Sequence, residues 1–124
     1  LKEYAKMPYD RDILVRLIVK KEKAAFDYQS VRNSQTDFPV LTCAAAKTEA
    51  GYRFSIGARP GKAVLFELAD ADIQAADVEN MAENAAKCVK EQVETGSNTR
   101  GSAEYRKHLA GVLVRRAVCK LAGK

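Results

Sequence analysis

Three cysteines, one histidine and a cation-rich carboxyl end are the side chains best equipped for chemistry in this 124-residue chain. Cys43, Cys88 and Cys119 lie far apart inside apolar segments (LTCAAA, AAKCV, RAVCKLA), and no Cys-x-x-Cys pair occurs. With His108 as the lone imidazole, this spacing argues against a zinc or iron–sulfur site built by the chain alone. Each cysteine fits better as a small buried hydrophobe in a reduced, cytoplasmic protein than as a catalytic thiol. His108, beside Tyr105 and Arg106 on an expected exposed helix flank, fits a surface or partner-contact role, because a general base ordinarily needs an orienting carboxylate. The serines lack a legible His and carboxylate pattern. No Gly-x-Gly-x-x-Gly or phosphate-binding loop is present, and Arg59-Pro-Gly-Lys62 is no more than a turn. No catalytic residue and no metal ligand is therefore expected.

The charge is segregated. The formal net charge is +5, yet residues 1–62 carry 12 basic and 7 acidic side chains, residues 63–99 carry 2 and 8, and residues 100–124 carry 7 and 1. Arg100, Arg106, Lys107, Arg115, Arg116, Lys120 and Lys124 could together neutralise phosphates. Four of them, however, fall in the last third of an expected helix or just past its end, where cations complement the helix dipole whatever the function. The only aromatic there, Tyr105, falls in the apolar stripe. A solvated or packing face is the preferred reading. The alternative is a small basic binding module that presents Arg106, Arg115 and Lys120 to nucleic acid or an acidic protein. No apolar run reaches the ~18 residues of a membrane-spanning helix, and the longest, Ile13 to Val19, is broken by Arg16. The amino end lacks the basic and apolar regions of a secretory leader, and it does not begin with methionine, as expected for a piece of something longer.

Positioning such side chains requires elements, and the hydrophobic pattern divides them into a strand half and a helix half. The length allows one domain, burying roughly two-thirds of the surface its unfolded chain exposes. Ile13 to Val19 is rich in β-branched residues and is expected as a strand buried on much of both faces, followed by a charged turn at 20–23. Phe26 to Arg32 is a weaker strand with Phe26 and Tyr28 on one side. A polar loop follows, and Pro39, which cannot donate to a ladder, closes it. Val40 to Lys47 and Tyr52 to Arg59 flank a short connection and form a hairpin, with Tyr52, Phe54, Ile56 and Ala58 on its buried side. Ala63 to Glu67 adds a short extended segment.

Two helices complete the pattern. From about Ala76 to Val93, residues Val78, Met81, Ala82, Ala85, Cys88, Val89 and Gln92 recur at helical spacing, and Glu83 can pair with Lys87. A second helix runs from the N-cap Ser102 to about Ala122, with Gly123 ending it. Its inward stripe is Tyr105, Leu109, Val112, Leu113, Ala117 and Leu121. The expected fold is α+β, an antiparallel sheet of about four strands with two to three helices packed on one face.

Gly101-Ser-Ala-Glu-Tyr-Arg-Lys-His-Leu109, with Val112-Leu-Val-Arg-Arg-Ala117, closely resembles the last helix of the FAD-binding (medium) subunit of molybdenum hydroxylases. This is the xanthine dehydrogenase and carbon monoxide dehydrogenase group. The family ending runs D-x-R-G-S-x-x-Y-R-x-x-L followed by R-A. Arg100, Gly101, Ser102, Tyr105, Arg106, Leu109, Arg116 and Ala117 match it, and Asn98 stands where the acid is usual. Val31 to Val40 with Ala44-Ala-Ala46 is similar to a preceding family stretch, as is Ile56-Gly-Ala-Arg-Pro60 with Ala63 and Glu67. Asp12 to Val19 resembles the strand that closes the flavin domain.

The resemblance implies that residues 1–24 are a terminal strand segment of the preceding flavin domain and residues 25–124 the flavoprotein C-terminal domain. It implies FAD, bound mostly upstream, with 2Fe-2S clusters and the molybdenum cofactor on partner chains and electrons delivered to NAD+ or another acceptor. The domain itself would contribute structure and contacts with the flavin, iron–sulfur and molybdenum parts, with no membrane or nucleic-acid partner. By the same resemblance, Leu14 and Gln29 border FAD, and the loop from Arg32 to Asp37 lies near the isoalloxazine.

Overall fold

Only Glu49 and Ala50 separate the two best strands, and they fold as a tight hairpin in the computed structural model, which describes residues 13–19, 21 and 23–123. Gly51 closes that turn at φ +126°. A side chain there would place its Cβ 2.3 Å from the Leu68 carbonyl oxygen, so the position requires glycine. The strands are β1 (Ala25–Val31), β2 (Leu41–Thr48), β3 (Gly51–Gly57) and β4 (Val64–Leu68). They pair antiparallel in sequence order as a four-stranded meander.

Register assigns the faces. Cys43 stands opposite Ile56 and Ala45 opposite Phe54, and on the other side Phe54 faces Phe66. Period-two alternation therefore brings Leu41, Cys43, Ala45, Tyr52, Phe54 and Ile56 to one buried face. Fully burying side chains such as Phe54 and Ile56 stabilises the fold by about 1.5–3 kcal/mol each.

That face is covered by α1 (Val78–Gln92) and α2 (Ala103–Ala122), which pack chiefly on each other, with α2 lying against β2 and β1. Asp77 caps α1, its carboxylate accepting from the Asn80 amide at 2.8 Å, and Ser102 caps α2 by accepting from the Tyr105 amide at 3.1 Å. A short 3-10 turn at Asp70–Asp72 leads to Ile73, which is buried in the same core as Val89, Val93, Leu113 and Val118. The acidic and basic charge blocks do lie side by side: Arg115 of α2 bonds Glu79 and pairs with Glu83 of α1 at 3.5 Å. Glu83 thus pairs across the helices, not with Lys87 along its own.

Four expectations need correction. Ile13 to Val19 forms no strand, and its apolar side chains are exposed, up to 86% for Ile13. A strand needs a ladder, and the described sheet offers these residues none. Residues 1–12, and part of the charged turn expected at 20–23, lie outside the described residues. Tyr105 is 45% exposed, while the adjacent Arg106 is buried. Val78 is likewise exposed. Ala58 does not extend β3: it takes φ +57° just beyond the strand end.

Candidate functional site

The polar loop after β1 is held in place by the loop that enters α2. Arg32 donates to the Asp37 backbone oxygen at 2.7 Å, and the Asp37 carboxylate accepts from the Phe38 amide at 2.7 Å and from Arg100 at 3.0 Å. Asn33 donates in turn to the Arg100 carbonyl at 3.1 Å, and the Arg100 guanidinium lies 5.3 Å over the Phe38 ring. The Arg100 hydrogen bond, helped by the Phe38 amide and the charges of Arg100 and Arg32, holds the Asp37 carboxyl below the usual carboxylate range. Sequence proximity brings Arg32 and Asp37 together. Arg100, 63 residues on from Asp37, completes the cluster only through the fold.

Beneath it sits Arg106, entirely buried. Its Nε donates to the Val40 carbonyl at 2.9 Å, one Nη donates to the carbonyls of Gly96 and Gly101 at 2.6 Å each, and the other donates to the Asn98 side-chain oxygen. Burial, with the nearby Arg100 charge, lowers its pKa, but an arginine so placed stays protonated. One planar fork thus satisfies acceptors from the segment before β2 and from the loop that enters α2. Hydrophobic periodicity could not find it, because the signal is a set of main-chain acceptors: the Val40 and Gly96 carbonyls, and the Gly101 carbonyl, which also accepts from the Asn98 amide at 3.1 Å. Gly101 lets the chain approach this closely: a Cβ there would stand 3.1 Å from Val40 Cγ1.

Gln29 lies elsewhere, on the helix-facing side of β1. Its amide donates to Asp27 at 2.6 Å, and Asp27, only 6% exposed, also receives Lys120 from the last turn of α2. Burial pushes the Asp27 carboxyl up, yet the hydrogen bonds from Lys120 and Gln29, the Lys120 charge and the Tyr28 amide together bring it below its ordinary value. Leu14 lies in the exposed stretch 13–19, with no shown contact to the other three expected flavin-side residues. Of those four, only Arg32 and Asp37 are brought together.

Other chemistry is limited. Burial, and then the Asp27 charge, push the Cys43 thiol up to about 12, so it is no nucleophile at neutral pH. Among the described residues no group of three or more His, Cys, Asp or Glu side chains could hold a metal ion. No described helix is long and apolar enough to cross a membrane. The basic-module alternative loses its three named residues: Arg106 is buried, Arg115 is taken by Glu79 and Glu83, and Lys120 is taken by Asp27.

A family model described as the CO dehydrogenase flavoprotein C-terminal domain matches residues 26–121. The chain belongs to this family. Its fold is shared with quinoline 2-oxidoreductase from Pseudomonas putida 86 (TM-score 0.70, 21% identity, 82% of this chain covered). Carbon monoxide dehydrogenase from Hydrogenophaga pseudoflava, in a form lacking the Mo-pyranopterin moiety of the molybdenum cofactor, gives a TM-score of 0.69 at 21% identity over 84% of this chain. A cyanide-inactivated Cu,Mo-CO dehydrogenase gives 0.64 at 20% identity over 83%. The match spans 38% of each of these solved chains. No curated protein matches the chain by sequence.

As a member of a flavoprotein domain family, the chain can be tested for its fit to FAD. Taken alone, it does not fit. Gln29 and Arg32 already donate to Asp27 and to the Asp37 backbone, the Asp37 carboxylate is occupied by Arg100 and Phe38, and no glycine-rich loop is present to approach a pyrophosphate. These residues can border a flavin held elsewhere but cannot enclose one.

Proposed function

We propose that this CO dehydrogenase flavoprotein C-terminal domain is a scaffold and docking element of a molybdenum-hydroxylase flavin subunit, with no catalytic residue of its own. The family match over residues 26–121 carries this reading. Two surfaces support it. The sheet face opposite the helices exposes Phe26 and Tyr28, and the stretch 13–19 exposes Ile13, Leu14, Val15, Leu17, Ile18 and Val19. Apolar surface of this kind marks a place where another protein part packs. Residues 1–24 are, in this reading, the strand that completes the preceding flavin domain, and Leu14 and the loop from Arg32 to Asp37 border the flavin, with Gln29 set back from that edge beside Asp27.

The wider assembly would be xanthine dehydrogenase-like. Its molybdenum subunit would hydroxylate substrate, and electrons would leave by 2Fe-2S clusters and FAD to NAD+ or another acceptor. The task of this chain is narrower: Arg32, Asp37 and Arg100 fix the loop that borders the flavin, and the exposed apolar faces bind neighbouring parts. Co-expression with the upstream flavin domain should give a complex that retains FAD and recruits an iron–sulfur partner. A complex that does neither contradicts the reading.

A further inference from the structure

The outer faces of the two helices enclose a depression of about 340 Å³ whose lining the fold leaves largely unused. Both helices present the same spacing to it. Glu83, Lys87 and Lys90 rise from α1, and His108 and Arg115 from α2, each set following the i, i+4, i+7 positions of one helix stripe or its ends. Glu83 is the one acid in this lining, and it pairs with Arg115, not with Lys87 one turn on. At one end Arg115 is neutralised by Glu79 and Glu83. At the other, the side chains of Lys87, Lys90 and His108 have no hydrogen-bond or ion-pair partner among the described residues. Glu91, Glu94 and Glu104 each stand four residues from one of these groups, yet none of the three lines the depression.

Its floor is small and apolar: Ala86, Val112 and Gly111. Gly111 sits in the middle of a 20-residue helix, where glycine destabilises relative to alanine. The helix contact does not demand it. A Cβ there would meet Lys90 Cδ at 3.6 Å and the Ala86 carbonyl at 3.8 Å, ordinary van der Waals distances. The missing methyl instead deepens the depression beneath the Lys90 stem.

We propose that this depression binds a compact phosphate-bearing anion, with Lys87, Lys90 and His108 as its donors. Donors arriving from two helices suit a tetrahedral oxyanion, which accepts hydrogen bonds from several directions. A planar carboxylate is best matched by an arginine fork, and the one arginine here is already occupied. The site lies on the helix layer, remote from the open sheet face, and does not depend on the docking role.

His108 is the only histidine of the chain, so its imidazole resonances report directly on binding. Titrating the 124-residue chain with pyrophosphate at low ionic strength should shift them to saturation. The double variant Lys87→Gln/Lys90→Gln should weaken binding at least about tenfold. Gly111→Ala should raise the thermal midpoint while weakening binding about threefold by filling the floor. A shift that does not saturate, or that sodium chloride reproduces at matched ionic strength, overturns the proposal. So does unchanged affinity in the double lysine variant or in Gly111→Ala, and so does equal affinity for glutarate, which would remove the preference for phosphate.

Discussion

Both ends of α2 are tied to the sheet by a charged side chain, but by opposite physics. At the amino end the buried Arg106 donates to three backbone carbonyls and to an amide oxygen, all of them neutral. At the carboxyl end Lys120, with 57% of its side chain exposed, reaches a carboxylate on β1 that is almost wholly buried. The first clamp has no titrating partner and little solvent to screen it. The second depends on one carboxylate remaining ionised and sits where salt can weaken it. The amino end also borders the loop from Arg32 to Asp37, so the rigid clamp lies where the proposed flavin edge needs fixed geometry.

Removing the rigid clamp should have the largest effect. Arg106→Met would strand the Val40 and Gly96 carbonyls, leave the Gly101 carbonyl with the Asn98 amide alone, and should cost about 3 kcal/mol of unfolding free energy in urea, with little dependence on salt. Asp27→Asn should cost about 1–2 kcal/mol at neutral pH, since solvent already screens the half-exposed lysine. The sign of its pH dependence is set by the lowered carboxyl pKa. A carboxylate that is more acidic when folded contributes stability fully above about pH 4, and that contribution disappears as pH falls through the folded value. Acid unfolding curves of wild type and Asp27→Asn should therefore converge below pH 4, whereas the Arg106→Met deficit should persist there.

Asn98→Asp would put a charged acceptor against Arg106, as the family pattern has it, and should stabilise by about 0.5–1 kcal/mol in the same urea assay. The smallest effect belongs to the exposed pair between the helices. Arg115→Gln should cost at most about 1 kcal/mol in thermal unfolding, and the difference should vanish in high salt.

What the sequence revealed follows the same division. Helices, hairpin and the cap of the second helix were legible because apolar spacing and local hydrogen bonding specify them: Ser102 caps α2, and the Thr48–Gly51 connection closes the hairpin. The clamps were not. Polarity alone put Tyr105 inward and Arg106 outward, whereas the carbonyls gathered at Val40, Gly96 and Gly101 decide the reverse. In β1, alternation groups Phe26 with Tyr28, but pairing Asp27 with Ala45 turns the aromatic side to solvent and the acid toward Lys120, 93 residues away. Within the candidate site, the Arg32 to Asp37 segment was found by family resemblance, while its dependence on Arg100 required the fold. The strand expected at 13–19 shows a further limit: β-propensity marks a segment able to pair and cannot supply the ladder it pairs with.

That segment also carries the most direct test of the docking role. Its amides belong to no strand here, so hydrogen exchange across residues 13–19 should be fast in this chain alone. With the upstream flavin domain present and FAD retained, exchange there should slow strongly while the amides of α1 and α2 keep their rates. Unchanged fast exchange at 13–19 in a complex that holds FAD would contradict the account.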